Sequence, residues 1–505
     1  MTAVTPTSDS ASRYRIEPSV MQALRSPRLL TREVLAGLVV ALALIPEAIA
    51  FSIIAGVDPR VGLFSSFIMA VAIAFLGGRP AMITAATGAI ALVIAPVARE
   101  HGMDYFIATV LLGGLIQIVL ALLGVAKLMR FIPRSVMVGF VNALAILIFT
   151  SQFPQLIGVP WLVYPLVAVG LLVMYLMPLI TKVIPAPLVA IVLLTAAVVV
   201  FAWNVPNVGD QGELPQSLPE LFIPNVPLTF ETLQIIAPFA LAMAVVGLLE
   251  SLMTAKLVDD ITDTHSRKTR EALGQGAANV LSGAFGGMGG CAMIGQTMIN
   301  VKASGARTRI STFLAGVFLL VLVLTLGDVV AIIPMAALVA VMILVSIATF
   351  DWHSIRWGTL KRMPKSETAV MLITVIATVW THNLAVGVIL GVITAMIMFA
   401  RRVAHFVSVT RTIDDDASTA RYAVNGELFF ASSNDLTTQF EYADDPDTVV
   451  IDMSRSHVWD ASTVAALDAI VTKYEHHGKS VTIEGLNDTA AAFHDRLTGN
   501  LGNGH

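Results

Sequence analysis

Ala41-Leu42-Ala43-Leu44-Ile45-Pro46-Glu47-Ala48-Ile49-Ala50-Phe51 is the stretch that decides how this chain folds. Apolar residues run on around it from Val34, long enough for a helix to cross a bilayer. A carboxylate stands in the middle. An acid at that depth costs about 3 kcal/mol or more, so it is rare and as a rule faces a polar cavity. The pattern recurs at Leu249-Glu250-Ser251-Leu252-Met253-Thr254. One such acid is compatible with a structural carboxylate held by backbone or hydroxyl groups. Two in comparable contexts point to a transport site.

Composition agrees. Of 505 residues, 56% are hydrophobic and only 13% charged, and mean hydropathy is +0.80. A soluble domain carries about 25% charged residues, so this is the composition of an α-helical polytopic membrane protein. A net charge of -4 gives no reason to expect a nucleic-acid partner. The single cysteine, Cys291, excludes an intramolecular disulfide and cannot alone make a metal site. With no catalytic constellation visible, neither an enzyme nor a cofactor is expected. Residues 1–30 lack the apolar core of a signal peptide and read as a retained cytoplasmic arm.

Apolar runs recur to about Ala400, with spans beginning near 34, 61, 84, 104, 135, 159, 186, 233, 272, 295, 309, 329, 367 and 384. That makes fourteen. The third and tenth are short enough to be half-helices. With the amino terminus inside, almost every Lys and Arg falls on the cytoplasmic side, Arg13, Arg15, Arg130 and Lys182 among them; only Arg60 and Arg99 do not. The loop Asn204–Thr232 holds four acids, five prolines and no Lys or Arg, as an external loop should. Both termini are then cytoplasmic. Glu47 and Glu250 lie 203 residues apart, and Ile132-Pro133 precedes Ile333-Pro334 by 201. A repeat of seven spans must be inverted relative to its partner, which is a secondary-transporter architecture.

After Arg402 the character changes. Arg421–Val424, Glu427–Ala431, Thr448–Met453 and Val481–Glu484 read as strands, and Ser462–Tyr474 and Thr489–Leu497 as amphipathic helices. The predicted organisation is an arm over 1–30, a transmembrane domain over 31–405 and a small cytoplasmic α/β domain over 410–500.

These pieces together resemble the sulfate permease (SulP) family of anion transporters. The resemblance rests on Ile45-Pro46-Glu47-Ala48-Ile49-Ala50-Phe51, Ala86-Thr87-Gly88, Gly274-Gln275-Gly276-Ala277-Ala278-Asn279 and Ser304-Gly305-Ala306-Arg307-Thr308. The terminal domain is similar to a STAS domain, including Asp460-Ala461-Ser462 after a strand. The resemblance implies two inverted seven-span repeats forming core and gate domains, in an inner membrane, as a homodimer. It also implies that spans 3 and 10 point their amino termini at one anion.

A helix amino terminus offers unpaired N–H groups and about half a positive charge, so two together can hold an anion without a full cation. Thr87 and Gly88 would open span 3; Gly295, Gln296 and Thr297 would open span 10. The family comparison makes Phe51, one turn beyond Glu47, a pocket wall; packing is the alternative. Gln296 stands where many animal relatives carry arginine, and Glu47 where they often carry glutamine. A site that gains an acid and loses a cation repels a permanent anion unless a cation is coupled to it. Glu250 with Thr254, or Glu47, would take H⁺, or alternatively Na⁺. The expected function is therefore proton-coupled symport of a dicarboxylate, bicarbonate or sulfate by alternating access. A Na⁺ symporter, a passive exchanger or channel on the same fold, a nucleobase permease and a signalling module are the competing readings. In soluble STAS proteins the serine matching Ser462 can be phosphorylated; here it reads either as that regulatory site or as a helix cap.

Overall fold

The computed structural model describes residues 18–127, 132–180, 185–404, 407–414 and 418–497. Most of the amino-terminal arm, with Arg13 and Arg15, lies outside them, as do Arg130, Lys182 and 498–500. The chain divides into two units, 1–392 and 393–505.

The first unit is helical. It opens with α1 (Val20–Arg25), α2 (Pro27–Ala55) and α3 (Pro59–Leu76). Pro27 starts α2 where a missing N–H costs nothing, and Gly56 ends it at φ 79°, a left-handed stop that a residue with a Cβ resists. Pro46 within α2 removes one backbone hydrogen bond beside Glu47. A three-residue strand β1 (Thr84–Ala86) precedes α4 (Gly88–Leu122), which breaks at Gly102, φ 82°. Spans 3 and 4 are therefore the two arms of one kinked run. Span 3 starts four residues later than the expectation, because 84–86 is extended.

Then come α5 (Arg134–Thr150), α6 (Val163–Ile180), α7 (Ala186–Val200), α8 (Phe230–Thr262) and α9 (Lys268–Ala284). A second short strand, β2 (Gly290–Ala292), leads into α10 (Ile294–Met298), which continues as a π turn through Ala303. The unit continues with α11 (Arg309–Thr325), α12 (Gly327–Ala331), α13 (Met335–Thr349), α14 (Trp357–Arg362) and α15 (Lys365–Thr381), and into α16 (Leu384–Ala404). Among the described residues seven helices are long and apolar enough to cross a membrane, namely α2, α3, α4, α5 with the turn that carries it on to Leu156, α6, α8 and α16; α7, α11 and α13 are shorter apolar helices. Pro133 and Pro334, the sequence pair read as a repeat, are the N-caps of α5 and α13.

The loop after α7 is stitched to helix ends. Val208 N–H donates to Ile333 O, Met335 N–H to Pro206 O, and Phe222 N–H to Ala284 O. At the other end of α2, buried Glu33 acts as a cap for α11, accepting the N–H groups of Arg307 at 2.7 Å, Thr308 at 3.2 Å and Ser311 at 3.3 Å. A carboxylate on a helix amino terminus joins hydrogen bonding to a favourable dipole. Glu33→Ala is expected to lower stability by about 1–3 kcal/mol and Glu33→Gln by less, read as thermal unfolding of the purified protein. Equal stability of Glu33→Ala and the parent would show that the cap contributes nothing.

The second unit carries a four-stranded sheet in the order β3 (Ser408–Ile413), β4 (Thr419–Leu428), β5 (Thr448–Val458), β6 (Ser480–Glu484). The β3–β4 pair is antiparallel and the other two are parallel. Helices α17 (Phe430–Leu436), α18 (Ala461–His476) and α19 (Asp488–Leu497) complete it. Tyr422, Tyr474, Ile451 and Leu467 are among its core residues. Buried Asp445 accepts both tyrosine hydroxyls, and burial together with that carboxylate pushes the Tyr474 hydroxyl well above its usual range. One expectation fails here and one strand went unforeseen. Glu427–Ala431 is not a separate strand: β4 runs to Leu428, and α17 starts where Asp460 accepts Phe430 N–H. Edge strand β3 is exposed along most of its length, so no apolar alternation announces it.

Candidate functional site

Two helices start at the centre of the first unit, each directly after a short strand. The strands pair antiparallel, Thr84 with Ala292, Ala85 with Cys291 and Ala86 with Gly290. Thr87 is the N-cap of α4 and Met293 that of α10, so the antiparallel pairing sets the two helix starts at opposite ends of one three-pair ribbon.

Three residue pairs leave backbone groups that must find partners in an apolar interior. Polar side chains of the surrounding helices supply them. Ser251 Oγ accepts Ala292 N–H at 3.0 Å, and Asn279 both accepts from and donates to the Gly290 backbone, at 2.9 and 3.1 Å. Gln275 Nε2 donates to Thr84 Oγ1 at 2.8 Å. The Gly274–Asn279 motif thus clamps the ribbon. Its Gly276 lets α9 touch α4, since a Cβ there would meet Gly114 O at 2.8 Å.

The residues singled out from sequence fall into two groups. In one, Gln296 Nε2 donates to Glu47 Oε1 at 2.8 Å. Gln296 is 2% exposed, and its Oε1 is buried with no partner among the described residues. Beside it Gly295 faces open space, with nothing within 4 Å of where a Cβ would stand. In the other group Thr87 Oγ1 lies 3.1 Å from Cys291 Sγ, whose S–H donates to Glu250 Oε2 at 2.9 Å. Among the described residues neither Glu47 nor Glu250 has an ion-pair partner. Phe51 is buried against Gly88: a Cβ there would lie 2.8 Å from the ring and 3.3 Å from Ile148 of α5. The ring fills the space between the start of α4 and α5.

Three residues behave otherwise than the sequence suggests. Thr254 does not meet the Glu250 carboxylate; its hydroxyl donates to the Glu250 carbonyl at 2.8 Å, as a Thr one turn along a helix does, and lies 3.4 Å from Ala292 O. The Thr297 hydroxyl accepts Ile83 N–H at 3.0 Å and is fully buried, so it holds the strand rather than lining the space by Gly295. Ser462 does not cap α18. Asp460 does, accepting Thr463 N–H at 3.0 Å, and Ser462 is exposed one position into the helix.

Cys291 was missed as a site residue, because a lone thiol among small residues announces only packing. The sequence also gave no sign of a cavity of about 610 Å³ lined by Ala50, Leu92, Arg99, Leu147, Gln152 and His382, among others. Its lining contains none of Glu47, Phe51, Thr87, Gly88, Gly295 and Gln296, although it reaches Ala50, next to Phe51.

Residues 30–170 and 159–374 match the sulfate permease family, and 410–497 match the STAS domain. The chain is 51% identical over 462 residues to the putative sulfate transporter YbaR of Bacillus subtilis, covering 92% of this chain and 96% of that one. It is 26% identical to the bicarbonate transporter BicA of Picosynechococcus, over 87% of this chain and 86% of that one. The transmembrane domain of a cyanobacterial BicA superimposes at a TM-score of 0.63 with 26% identity, over 72% of this chain and 98% of that one. The murine Solute Carrier 26 family member A9 anion transporter shares the fold at a TM-score of 0.80 with 17% identity, over 97% of this chain and 89% of that one. The family match over the transmembrane unit and the 51% identity over nearly the whole length show that the chain belongs to the sulfate permease family.

Proposed function

We propose that this protein is a secondary active transporter of a small anion, coupled to protons and working by alternating access. The observation that carries the reading is the ribbon that joins two helix starts beside two carboxylates without ion pairs. The start of α4 supplies backbone N–H groups, because the side chain of its N-cap Thr87 accepts none of them. Gln296 and the open space at Gly295 supply an amide and room on the facing side. Thr87, Gly88, Gly295 and Gln296 would contact the anion, with Phe51 as a wall, and Glu47 and Glu250 would take the proton. The names of the relatives favour an inorganic anion, sulfate or bicarbonate.

Na⁺ is the competing coupling ion. Proton binding is better supported, because Glu250 already receives an S–H and Thr254 is turned to carbonyls instead of joining the carboxylate in an oxygen cage. In proteoliposomes an inward proton gradient is expected to drive uphill uptake of labelled sulfate or bicarbonate, and a protonophore to abolish it. A sodium gradient alone is expected to have no effect. Uptake that equilibrates but never accumulates under either gradient would identify a passive exchanger and refute the symport reading.

A further inference from the structure

We propose that Thr87, Cys291 and Glu250 form a hydrogen-bond chain whose direction reports the protonation of Glu250 to the anion site. This rests on the function proposed above and supplies a route for its coupling. Thiol and hydroxyl each own one hydrogen. The thiol hydrogen is spent on Glu250 Oε2, so the 3.1 Å contact with Thr87 must be the hydroxyl donating to Sγ. Thr87 then turns lone pairs, not a hydrogen, towards the start of α4. That orientation opposes an anion.

A proton bound at Glu250 Oε2 reverses the chain. The carboxyl O–H donates to Sγ, the S–H turns to Thr87 Oγ1, and the Thr87 O–H turns outward to the anion. Every atom keeps its own hydrogen. The balance is one proton gained at Glu250 and one anion gained beside Thr87, so each favours the other with no proton passing along the chain.

Two further observations fit. Thr229 and Thr308 at the starts of α8 and α11 accept first-turn N–H groups, whereas Thr87 at the start of α4 does not and is directed to Cys291. On the other helix start, the buried Gln296 Nε2 gives one of its two hydrogens to Glu47, and among the described residues the second has no acceptor and is left for an anion. Other titratable groups do not compete for the Glu250 carboxylate. On α8 itself Asp259 pairs with Arg79 and Lys256 with Asp260, and Glu231 stands in the first turn. The packed elements carry Arg99, Glu100, His101, Asp104 and Tyr105 on α4, Lys268, Arg270 and Glu271 on α9, none on α10 and only Cys291 on β2. Of these, Cys291 alone donates a described hydrogen bond to that carboxylate.

Cys291 is thus a positioning residue, tested in the full-length protein by Cys291→Ser and Cys291→Ala. Affinity for sulfate and bicarbonate is measured by thermal shift against pH, and proton-driven uptake in proteoliposomes. Wild-type affinity is expected to fall as pH rises above the titration of Glu250, by up to about tenfold per pH unit for one coupled proton. Serine, which can both donate and accept, keeps that slope. Alanine flattens it and uncouples uptake while still binding the anion. If Cys291→Ala does not fold, Thr87→Val breaks the other link at nearly constant volume and must flatten the same slope. A wild-type slope and coupled uptake in these broken-chain variants overturn the relay, as does a uniform loss of stability and affinity with the slope unchanged. A wild-type protein with neither a pH slope nor proton-driven uptake refutes the proton-symport reading itself, which separates the two failures.

Discussion

Glu250→Gln is expected to abolish uphill uptake, reducing accumulation to equilibration, while the protein stays folded and still binds its anion. The side chain is 7% exposed and is held by the Cys291 thiol. Glutamine keeps its volume and can accept the same S–H, so the cost in stability should stay within about 1 kcal/mol. What it loses is the ability to take up a proton. Anion affinity in the variant should therefore be insensitive to pH wherever Glu250 sets the wild-type slope. Counterflow, which needs binding and conformational exchange but no gradient, should persist. Glu250→Ala is a poorer test, because it empties a packed site and leaves Cys291 without its acceptor. Normal accumulation against a gradient by Glu250→Gln would remove Glu250 from the coupling step.

The parts of this fold that a sequence displays are those governed by solvent. Apolar length marked the helices, and Pro133 and Pro334 marked two of their starts. The breaks before α4 and α10 were visible as short spans, because a half-helix leaves fewer apolar residues between its turns. What replaces the missing helix was not visible. Thr84-Ala85-Ala86 and Gly290-Cys291-Ala292 carry no strand alternation, and their pairing is fixed by Ser251, Gln275 and Asn279 from distant stretches. Side-chain direction was equally hidden. Thr254 lies one turn from Glu250, as its spacing says, yet a helical hydroxyl finds the carbonyl of the preceding turn before it finds a carboxylate. Ser462 failed as a cap for a related reason: Asp460 stands two residues earlier and is already at the turn.

Gly295→Leu and Gln296→Arg should move anion affinity in opposite directions. At Gly295, an exposed position, an added Cβ meets nothing within 4 Å, so a larger side chain begins in open space by the helix start. Folding should be unaffected and anion affinity should fall by about tenfold or more, which corresponds to a loss of about 1.4 kcal/mol of binding or more. Gly88 would be a confounded probe, since a Cβ there strikes Phe51 at 2.8 Å. Gln296 stands 2.8 Å from Glu47, so a guanidinium at that position pairs with the carboxylate and cancels its charge permanently. The anion then meets a neutral pair instead of an acid. Its affinity should rise by about tenfold, and uptake should depend less on the proton gradient, because the fixed cation stands in for a bound proton at Glu47. A merely structural role for this turn gives another pattern: both variants lose stability together and neither changes its preference among sulfate, bicarbonate and dicarboxylates. Thermal-shift affinities and gradient-dependent uptake, taken on monodisperse protein, separate the two. Unchanged affinity in both variants with normal folding moves the anion away from the start of α10.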